Sequence, residues 1–336
     1  MKKIIADLCA LTMVFALAAC GSSAAPAASA AEPAAEPAAE PAAEGVSYTV
    51  GICQLVQHPA LDAATQGFKD ALSDALGDSV TFTEQNASGD SATCATICNQ
   101  FVSDEVDLIM ANATPALLAA QAATGSIPIL GTSVTDYASA LGIDDWSGAT
   151  GINISGTSDG VPADQLAGVV NELFPDAKTV GLLYCSGEPN SLFQADEIRP
   201  VLEGMGYTVT DYTFADSNDV AAVTNTACDE NDVLYIPTDN TAASNAELIN
   251  NVALAKKIPI VAGEENLCAG CGVATLSISY YDLGTVTGQM AAKILSEGAD
   301  VSAMEIEYAP FAKKYNAATC EALGIEVPAE YEAIEG

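Results

Sequence analysis

The sequence predicts an α/β fold with two similar lobes, each a doubly wound parallel sheet covered by helices. From Val46 onward, short β-branched runs alternate with Ala-rich stretches of helical periodicity, which is typical of parallel sheets packed between helices. The second half of the chain then repeats landmarks of the first. The length of 336 residues, half of them apolar, agrees with about two domains.

The first predicted lobe opens with a strand at 48–53. A helix follows at 59–76, because Leu61, Phe68 and Leu72 recur at helical spacing on one face. The alternation continues through strands at 80–83, 106–110 and 127–130, with helices at 91–103 and 114–124.

The second predicted lobe repeats the first at an offset of about 130 residues. The matching pairs are Thr49-Val-Gly-Ile with Thr179-Val-Gly-Leu, Val80-Thr with Val209-Thr, and Ile127-Pro-Ile-Leu with Ile258-Pro-Ile-Val. Three landmarks at one offset indicate duplicated units. Because ligands of doubly wound sheets lie outside the carboxyl ends of the strands, we expect a cleft between the loops of two facing lobes.

The first 20 residues, 1–20, predict an export signal. Lys2 and Lys3 precede an apolar run at 8–19 that is too short to span a bilayer comfortably. The run ends in Leu17-Ala-Ala-Cys20, which resembles the bacterial lipobox, so we expect Cys20 to carry a lipid. The alternative is an ordinary secretory signal in which Cys20 is incidental.

Residues 21–45 predict an extended tether. This segment repeats Ala, Glu and Pro and has no large apolar side chain, so it cannot build a core. Pro33, Pro37 and Pro41 favour a polyproline II conformation. A lipid, a tether and a globular body together predict a protein anchored to the cell membrane on its extracytoplasmic face.

Charge and residue content exclude several classes of function. Ten Lys and Arg stand against 45 Asp and Glu, and this net charge of −35 argues against binding of nucleic acid. The single histidine, His58, excludes a His-rich metal site, and we expect neither a metal nor a cofactor. Gly156-Thr-Ser-Asp-Gly160 fits G-x-S-x-G, but a nucleophile elbow needs a histidine later in the chain. We therefore expect no catalytic residues and no enzyme.

Cys268 and Cys271 have the spacing of a redox or zinc motif. A structural zinc ion needs four ligands, and Cys94 and Cys98 belong to the other predicted lobe. We therefore expect a local disulfide or two buried thiols at this C-x-x-C pair.

Five separate runs of the predicted body carry a family resemblance. They are Gln54-Leu-Val-Gln-His-Pro-Ala-Leu-Asp62, Gly181-Leu-Leu-Tyr-Cys-Ser-Gly-Glu-Pro-Asn-Ser191, Pro237-Thr-Asp-Asn-Thr241, Gly263-Glu-Glu265 and Tyr280-Tyr-Asp-Leu-Gly284. Together they resemble the substrate-binding proteins of ABC transporters over residues 46–322, most closely a branch associated with tryptophan, tyrosine or phenylalanine. Cys268 and Cys271 depart from the family pattern, in which ordinary loop residues are expected.

The resemblance implies a type I periplasmic binding fold, whose lobes are joined by a three-segment hinge and close on a ligand. We place the three crossings near 155–158, 277–280 and 305–308. The corresponding boundaries put 46–155 with 281–305 in lobe 1, and 156–280 with 306–336 in lobe 2.

Candidate residues for a ligand carboxylate follow the ends of predicted strands. Because Lys and Arg are scarce, hydroxyl groups and helix N-termini would have to hold the anion. Thr114 can cap a helix whose first turn contains Pro115, and Ser133, Asn190 and Ser191 lie in similar loops.

Candidate residues for a ligand amino group are acidic. Asp239 or Glu264 would pair with it, because a buried charge needs a partner. Gln54 and His58 would contact the ligand side chain or close over it. The remaining candidates at strand ends are Thr132, Asp159 and Asn240. This mixture of polar groups suits a zwitterionic amino acid.

The sequence therefore predicts a monomeric binding lipoprotein of an ABC importer. It would take up an amino acid, aromatic according to the resemblance, and deliver it to a permease in the membrane. The alternatives are the same fold binding a sugar or a nucleoside, a sensor that passes its ligand signal to a receptor, and an enzyme.

Overall fold

The computed structural model describes residues 46–334 as alternating strands and helices. Cys20 and the predicted tether at 21–45 lie outside the described residues. The first part of the body contains β1 (Tyr48–Gln54), α1 (Pro59–Leu76), β2 (Val80–Asn86), α2 (Ser91–Ser103), β3 (Leu108–Asn112), α3 (Thr114–Ala123), β4 (Ile129–Val134), α4 (Tyr137–Leu141) and β5 (Ile154–Ser158).

The remaining elements follow the same alternation. They are α5 (Ala163–Leu173), β6 (Thr179–Cys185), α6 (Pro189–Gly204), β7 (Thr208–Phe214), α7 (Val220–Glu230), β8 (Val233–Ile236), α8 (Asn240–Ser244), α9 (Ala246–Lys256), β9 (Ile260–Ala262), α10 (Glu265–Cys271), β10 (Ala274–Ser277), α11 (Tyr280–Glu297), β11 (Glu307–Tyr308), β12 (Ala312–Tyr315), α12 (Ala317–Leu323) and β13 (Glu332–Ala333).

The strands form two sheets. Among the described residues, six parallel strands form the first sheet in the order β11-β5-β4-β3-β1-β2, and seven strands form the second in the order β13-β12-β10-β9-β8-β6-β7. The second sheet is parallel apart from β12 and β13, which are parallel to each other and run antiparallel to the other five strands. β1 pairs with β2 and β3, and β6 pairs in the same way with β7 and β8. The duplicated α/β fold predicted from the sequence is thereby confirmed.

The element boundaries agree closely with the sequence pattern. Helices α1 and α2 begin and end where the periodicity predicts. Strand β4 begins at Ile129 rather than at 127, because Pro128 has no N–H group to donate to a strand ladder.

Each sheet is buried on both faces. In the first sheet, Val50 and Ile52 pack with Phe68 of α1, whereas Cys53 packs with Phe101 of α2 on the opposite face. Consecutive strand residues face opposite sides, so burial on both faces produces nearly continuous apolar runs. Candidate polar residues consequently lie at the ends of the strands and in the loops that follow them.

The helix α11 packs directly on α1. A Cβ atom on Gly284 would overlap the carbonyl oxygen of Ala64, and one on Gly67 would overlap the carbonyl oxygen of Tyr281. The two helix backbones are therefore in contact, and glycine is required at both positions. This contact fixes Tyr280, the first residue of α11, at the interlobe cleft.

The chain passes between the sheets at three places: after β5, between β10 and α11, and between β11 and β12. Strand β5 still pairs with β4 at Ser158, and β11 pairs with β5 at 307–308. Residues 156–158 and 307–308 thus belong to the first sheet, a few residues beyond the predicted lobe boundaries. The small residues of β5 have a composition typical of a loop. They nevertheless form a buried strand, because β4 and β11 pair with β5 on its two sides.

All eight cysteines of the described residues are buried and free. Cys268 and Cys271 are therefore two buried thiols, one of the two predicted alternatives. Within residues 46–334, no cluster of three metal-ligating side chains is placed to hold an ion. In the same residues, no helix is both long and apolar enough to cross a membrane.

Candidate ligand-binding cleft

A narrow cavity lies where the carboxyl ends of strands from both sheets face each other. Its lining comes from both lobes: His58, Leu61, Ser133, Thr135, Asp159, Asn190, Thr238, Asp239, Asn240, Ala243, Glu264 and Tyr280. The volume is about 10 Å³, which is room for about one water molecule. Admission of a larger ligand therefore requires the two lobes to separate.

His58 and Asn240 join the lobes across this cavity. The Nε2 atom of His58 lies 3.2 Å from Oδ1 of Asn240. The amide nitrogen of Asn240 donates to Glu188 at 2.7 Å, which fixes the orientation of the amide. Nε2 of His58 must therefore carry the proton, and Nδ1 is a buried acceptor without a partner. Burial lowers the pKa of His58, so the ring is neutral near pH 7.

Asp159 is a buried carboxylate with one oxygen unused. It directly follows β5, and its Oδ2 accepts a hydrogen bond of 2.8 Å from the hydroxyl of Tyr280. Its Oδ1 is buried and has no partner among the described residues. Burial raises the pKa of Asp159, whereas the hydrogen bond from Tyr280 and the nearby hydroxyl of Thr135 lower it. The free oxygen is available to a ligand that donates a hydrogen bond.

Asp239 also lines the cavity, and each of its oxygens already accepts one backbone hydrogen bond. Oδ1 accepts from the backbone N–H of Ala242 at 2.7 Å, and Oδ2 accepts from that of Cys185 at 2.6 Å. Asp239 thus caps α8 and ties β6 to β8. Burial, followed by the nearby Glu188 carboxylate, raises the pKa of Asp239 to about 8. The sequence-based prediction of Asp239 as the partner of a ligand amino group stays a prediction.

Glu264 resembles Asp239 in its bonding. Its carboxylate accepts from the backbone N–H groups of Asn266 and Leu267, so it caps α10. Burial raises the pKa of Glu264 to about 7. The two acids that the sequence favoured for a ligand amino group are therefore both engaged by helix N-termini.

Three hydroxyl and amide groups complete the set of unused polar atoms. Nδ2 of Asn190 donates to the carbonyl of Thr238 at 2.8 Å, which leaves its Oδ1 without a partner. The hydroxyls of Ser133 and Thr114 are also buried and unpaired. Ser133 has a φ of 55°, a left-handed conformation that is uncommon for serine and is found preferentially at functional sites.

Thr114 does not cap α3 as predicted. The N-cap position belongs to Ala113, which has a φ of 88° and offers no side-chain acceptor. Pro115 does lie in the first turn. The N-terminus of α3 is consequently left without a side-chain cap, beside the free hydroxyl of Thr114.

Three predicted residues support the cleft without lining it. Gln54 accepts from Thr65 and donates to Asp62, both at 2.7 Å, and so holds the loop before α1. Thr132 lies 3.2 Å from the hydroxyl of Thr157 inside the first sheet. Ser191 is fully buried and donates to the carbonyl of Thr238.

The sequence analysis missed Tyr280 and Glu188. Tyr280 begins the run Tyr280-Tyr-Asp-Leu-Gly284, so the family resemblance contained a signal for it. Glu188 accepts hydrogen bonds from the backbone and side chain of both Asn240 and Thr241. No sequence pattern indicates this bonding, because its partners lie more than 50 residues away in the chain.

Two further cavities adjoin the narrow one. A cavity of about 80 Å³ adjoins Asn190, and its other lining residues are Thr114, Asp136, Ser139, Ala140, Pro189 and Phe193. On the other side, a cavity of about 300 Å³ lies between loops of both lobes. The cleft thus combines a polar centre with an extension that has apolar walls at Ala140, Pro189 and Phe193 and polar groups at Asp136 and Ser139.

Two α/β lobes that enclose a cleft of unfilled polar groups define a solute-binding protein of the type I periplasmic class. Residues 49–331 match the family described as ABC transporter substrate binding protein. The chain therefore belongs to the family of ABC transporter substrate-binding proteins, which are solute-binding proteins rather than enzymes.

The chain is similar to a tyrosine-binding protein from Clostridioides difficile (strain R20291), with 39% identity over 75% of this chain and 73% of the relative. It is also similar to a solved ABC domain in complex with L-Trp from Streptococcus pneumoniae. That structure has a TM-score of 0.81 and 30% identity, and the match covers 85% of this chain and 99% of the other.

A third similar structure is a ligand-free, open substrate-binding protein from Clostridium difficile. Its TM-score is 0.65 at 36% identity, over 86% of this chain and 99% of the other. The L-Trp complex is thus more similar in structure, although it is less similar in sequence. In this protein the lobes are in a closed arrangement, because His58 and Asn240 are in contact across a cavity of only about 10 Å³.

Proposed function

We propose that this chain binds a zwitterionic aromatic amino acid in the cleft and delivers it to the permease of an ABC importer. The observation that supports this is a set of buried polar atoms without partners around the narrow cavity. They are His58 Nδ1, Ser133 Oγ, Asp159 Oδ1, Asn190 Oδ1 and, in the adjoining cavity, Thr114 Oγ1. Because buried polar atoms are normally paired, a polar ligand is the missing partner.

The ammonium group of the ligand binds at Asp159. Three of the unpaired atoms are acceptors, on His58, Asp159 and Asn190. A primary ammonium group has three N–H donors and no acceptor, so it matches these atoms in number and in kind. Asp159 supplies the negative charge that a buried cation requires. This assignment replaces Asp239 and Glu264, whose oxygens already accept backbone N–H groups.

The carboxylate group of the ligand binds at the first lobe. The hydroxyls of Thr114 and Ser133 are unpaired, and the N-terminus of α3 has no side-chain cap. No Lys or Arg lines either of the two cavities. A helix N-terminus with free N–H groups stabilises an anion without a basic side chain.

The side chain of the ligand enters the cavity beyond Asn190. The walls at Ala140, Pro189 and Phe193 are apolar, and Phe193 offers a ring for aromatic packing. Two relatives support an aromatic ligand, since one is named a tyrosine-binding protein and the other was solved with L-Trp.

We also infer that the protein acts as a monomer, anchored by a lipid at Cys20 through the tether at 21–45. Both segments lie outside the described residues, and the proposal is supported by the lipobox resemblance and by the family. The first lobe would comprise 46–158, α11 and β11, and the second lobe the remaining elements. Ligand would favour the closed state, because only that state contacts it from both lobes.

Calorimetry with a ligand panel tests the proposed function. We expect saturable binding of L-tyrosine, L-tryptophan or L-phenylalanine, and none of glucose or adenosine. 3-(4-Hydroxyphenyl)propionate, which lacks the ammonium group, should bind at least about thirtyfold more weakly than L-tyrosine. Binding of the sugar or the nucleoside in place of every amino acid would support the alternative ligand class. Uptake by the permease in vesicles separates an importer component from a sensor.

A further inference from the structure

A fourth cavity, the hinge pocket, lies between the interlobe crossings and α6 and shares Asp136 and Phe193 with the cavity beside Asn190. Its volume is about 390 Å³, and its walls include Pro162, Phe193, Tyr235, Tyr308 and Phe311. It is several times larger than the cavities that adjoin Asn190. Such a volume is typical of sites for small organic molecules.

Tyr235 gives the hinge pocket an unused polar group. Its side chain is fully buried, and its hydroxyl has no hydrogen-bond partner among the described residues. Burial raises the pKa of Tyr235, so the hydroxyl keeps its proton. A buried tyrosine hydroxyl normally finds a partner, and an oxygen atom of a bound molecule would provide one.

The charges around the hinge pocket are all negative. Asp136 and Glu197 contribute carboxylates to its lining, and no Lys or Arg contributes to it. Neither carboxylate forms a salt bridge with a described residue. Phe193, Tyr308 and Phe311 add aromatic faces, which attract cations. The pocket therefore favours an organic cation over a neutral or anionic molecule.

We propose that the hinge pocket binds a protonated arylalkylamine. Its ammonium group lies at Asp136 and Glu197, its ring packs on the aromatic wall, and a phenol oxygen accepts the hydrogen bond of Tyr235. Residues on both sides of the crossings line the pocket, so its occupation bears on the lobe arrangement. Asp136 and Phe193 also line the cavity proposed for the side chain of the cleft ligand, so this proposal rests in part on the proposed function.

Titration of the full chain with tyramine, read by tryptophan fluorescence, tests the proposal. Trp146 is the single tryptophan of the chain. Its side chain lies close enough to Tyr308 to lower the pKa of that phenol. Excitation at the red edge of tryptophan absorption avoids the signal of tyramine. L-Tyrosine is kept saturating, so that the cleft is filled. We expect a saturable fluorescence change.

Two variants locate the bound amine. Tyr235→Phe keeps the aromatic wall and removes the hydroxyl, so tyramine affinity should fall about fivefold. Phenethylamine, which lacks the phenol oxygen, should bind wild type and this variant equally. Glu197→Gln should weaken both amines by about two- to fivefold, since this carboxylate is exposed to solvent. Melting temperatures of the variants check that the fold is retained.

Three results would overturn the proposal: absence of saturable tyramine binding, displacement of tyramine by L-tyrosine, and equal effects of Tyr235→Phe on both amines. The two variants also locate the amine if the cleft proves not to bind L-tyrosine. Failure of the proposed function is therefore distinguishable from failure of this inference.

Discussion

The hydroxyl of Tyr280 donates to Oδ2 of Asp159 at 2.8 Å and leaves Oδ1 of the same carboxylate buried without a partner. The two residues are 121 positions apart in the chain and meet at the interlobe cleft. Tyr280 therefore orients a carboxylate whose second oxygen is kept for a ligand.

Substitution Asp159→Asn should weaken binding of L-tyrosine by about 2–5 kcal/mol, because the ligand ammonium loses its buried charge partner. Calorimetric titration measures the change. Asp239→Asn is the matched control, since Asp239 caps α8 and should affect the melting temperature more than the affinity. Equal affinities of wild type and Asp159→Asn would refute the assignment.

Ligand affinity should decline as pH falls from about 7 to about 5, with His58 contributing to the decline. Neutral His58 accepts through Nδ1, whereas protonated His58 loses this lone pair and places a second cation beside the ligand ammonium. Its lowered pKa puts the change below 6.5, although the carboxylates of Glu188 and Asp62 oppose the lowering.

Titrations of wild type and His58→Gln across this pH range measure the histidine contribution. Asp159 also gains a proton as pH falls, so part of the decline in ligand affinity should remain in His58→Gln. Identical pH profiles for the two proteins would show that His58 has no part in binding.

Glu264→Gln should flatten the pH dependence of stability. The pKa of Glu264 is about 7 in the folded protein, above its ordinary value of 4.5, so the folded state holds more protons than the unfolded state between these values. The contribution of Glu264 to the free energy of unfolding is therefore fully present below about pH 4.5 and is lost as pH rises to about 7. Melting temperatures over this range measure the slope, with the exposed Glu321→Gln as control. A slope equal to that of wild type would contradict the prediction.

Gly284→Ala should destabilise the protein by about 1–3 kcal/mol, because the added Cβ overlaps the carbonyl oxygen of Ala64. Gly168→Ala is the control. It lies inside α5 with no atom within 4 Å of the added Cβ, so it should stabilise by about 0.5–1 kcal/mol. Urea unfolding of both variants measures the difference. A Gly284→Ala protein as stable as wild type would disprove the close packing of α1 on α11.

Cys20→Ala should release the protein from the membrane, because the lipidated residue is lost. Cell fractionation followed by immunoblotting measures the change. Ligand binding by the released protein should equal that of wild type, since the proposed tether separates Cys20 from the lobes. Retention in the membrane fraction would exclude a lipid at Cys20.

The sequence by itself determined the fold class and most element positions. Alternation of β-branched and Ala-rich segments requires sheets covered by helices, and the repeat of Thr49-Val-Gly-Ile at Thr179-Val-Gly-Leu requires two similar units. These features are readable because secondary structure and burial impose local periodicities. Candidate polar residues at strand ends, including His58, Ser133 and Asn190, were found for the same reason.

Only the tertiary structure decided which acidic residue is free. Asp159 and Asp239 look alike in the sequence, since Asp159 directly follows the buried strand β5 and Asp239 comes three residues after the end of the buried strand β8. Asp239 lies at the N-cap of α8 and is filled by backbone N–H groups, whereas α5 begins four residues after Asp159 with Pro162 at its N-cap. The difference depends on how strand, loop and helix are oriented in space. The contact of His58 with Asn240 likewise exists only because the folded lobes bring together residues 182 positions apart, and no local pattern records such a distance.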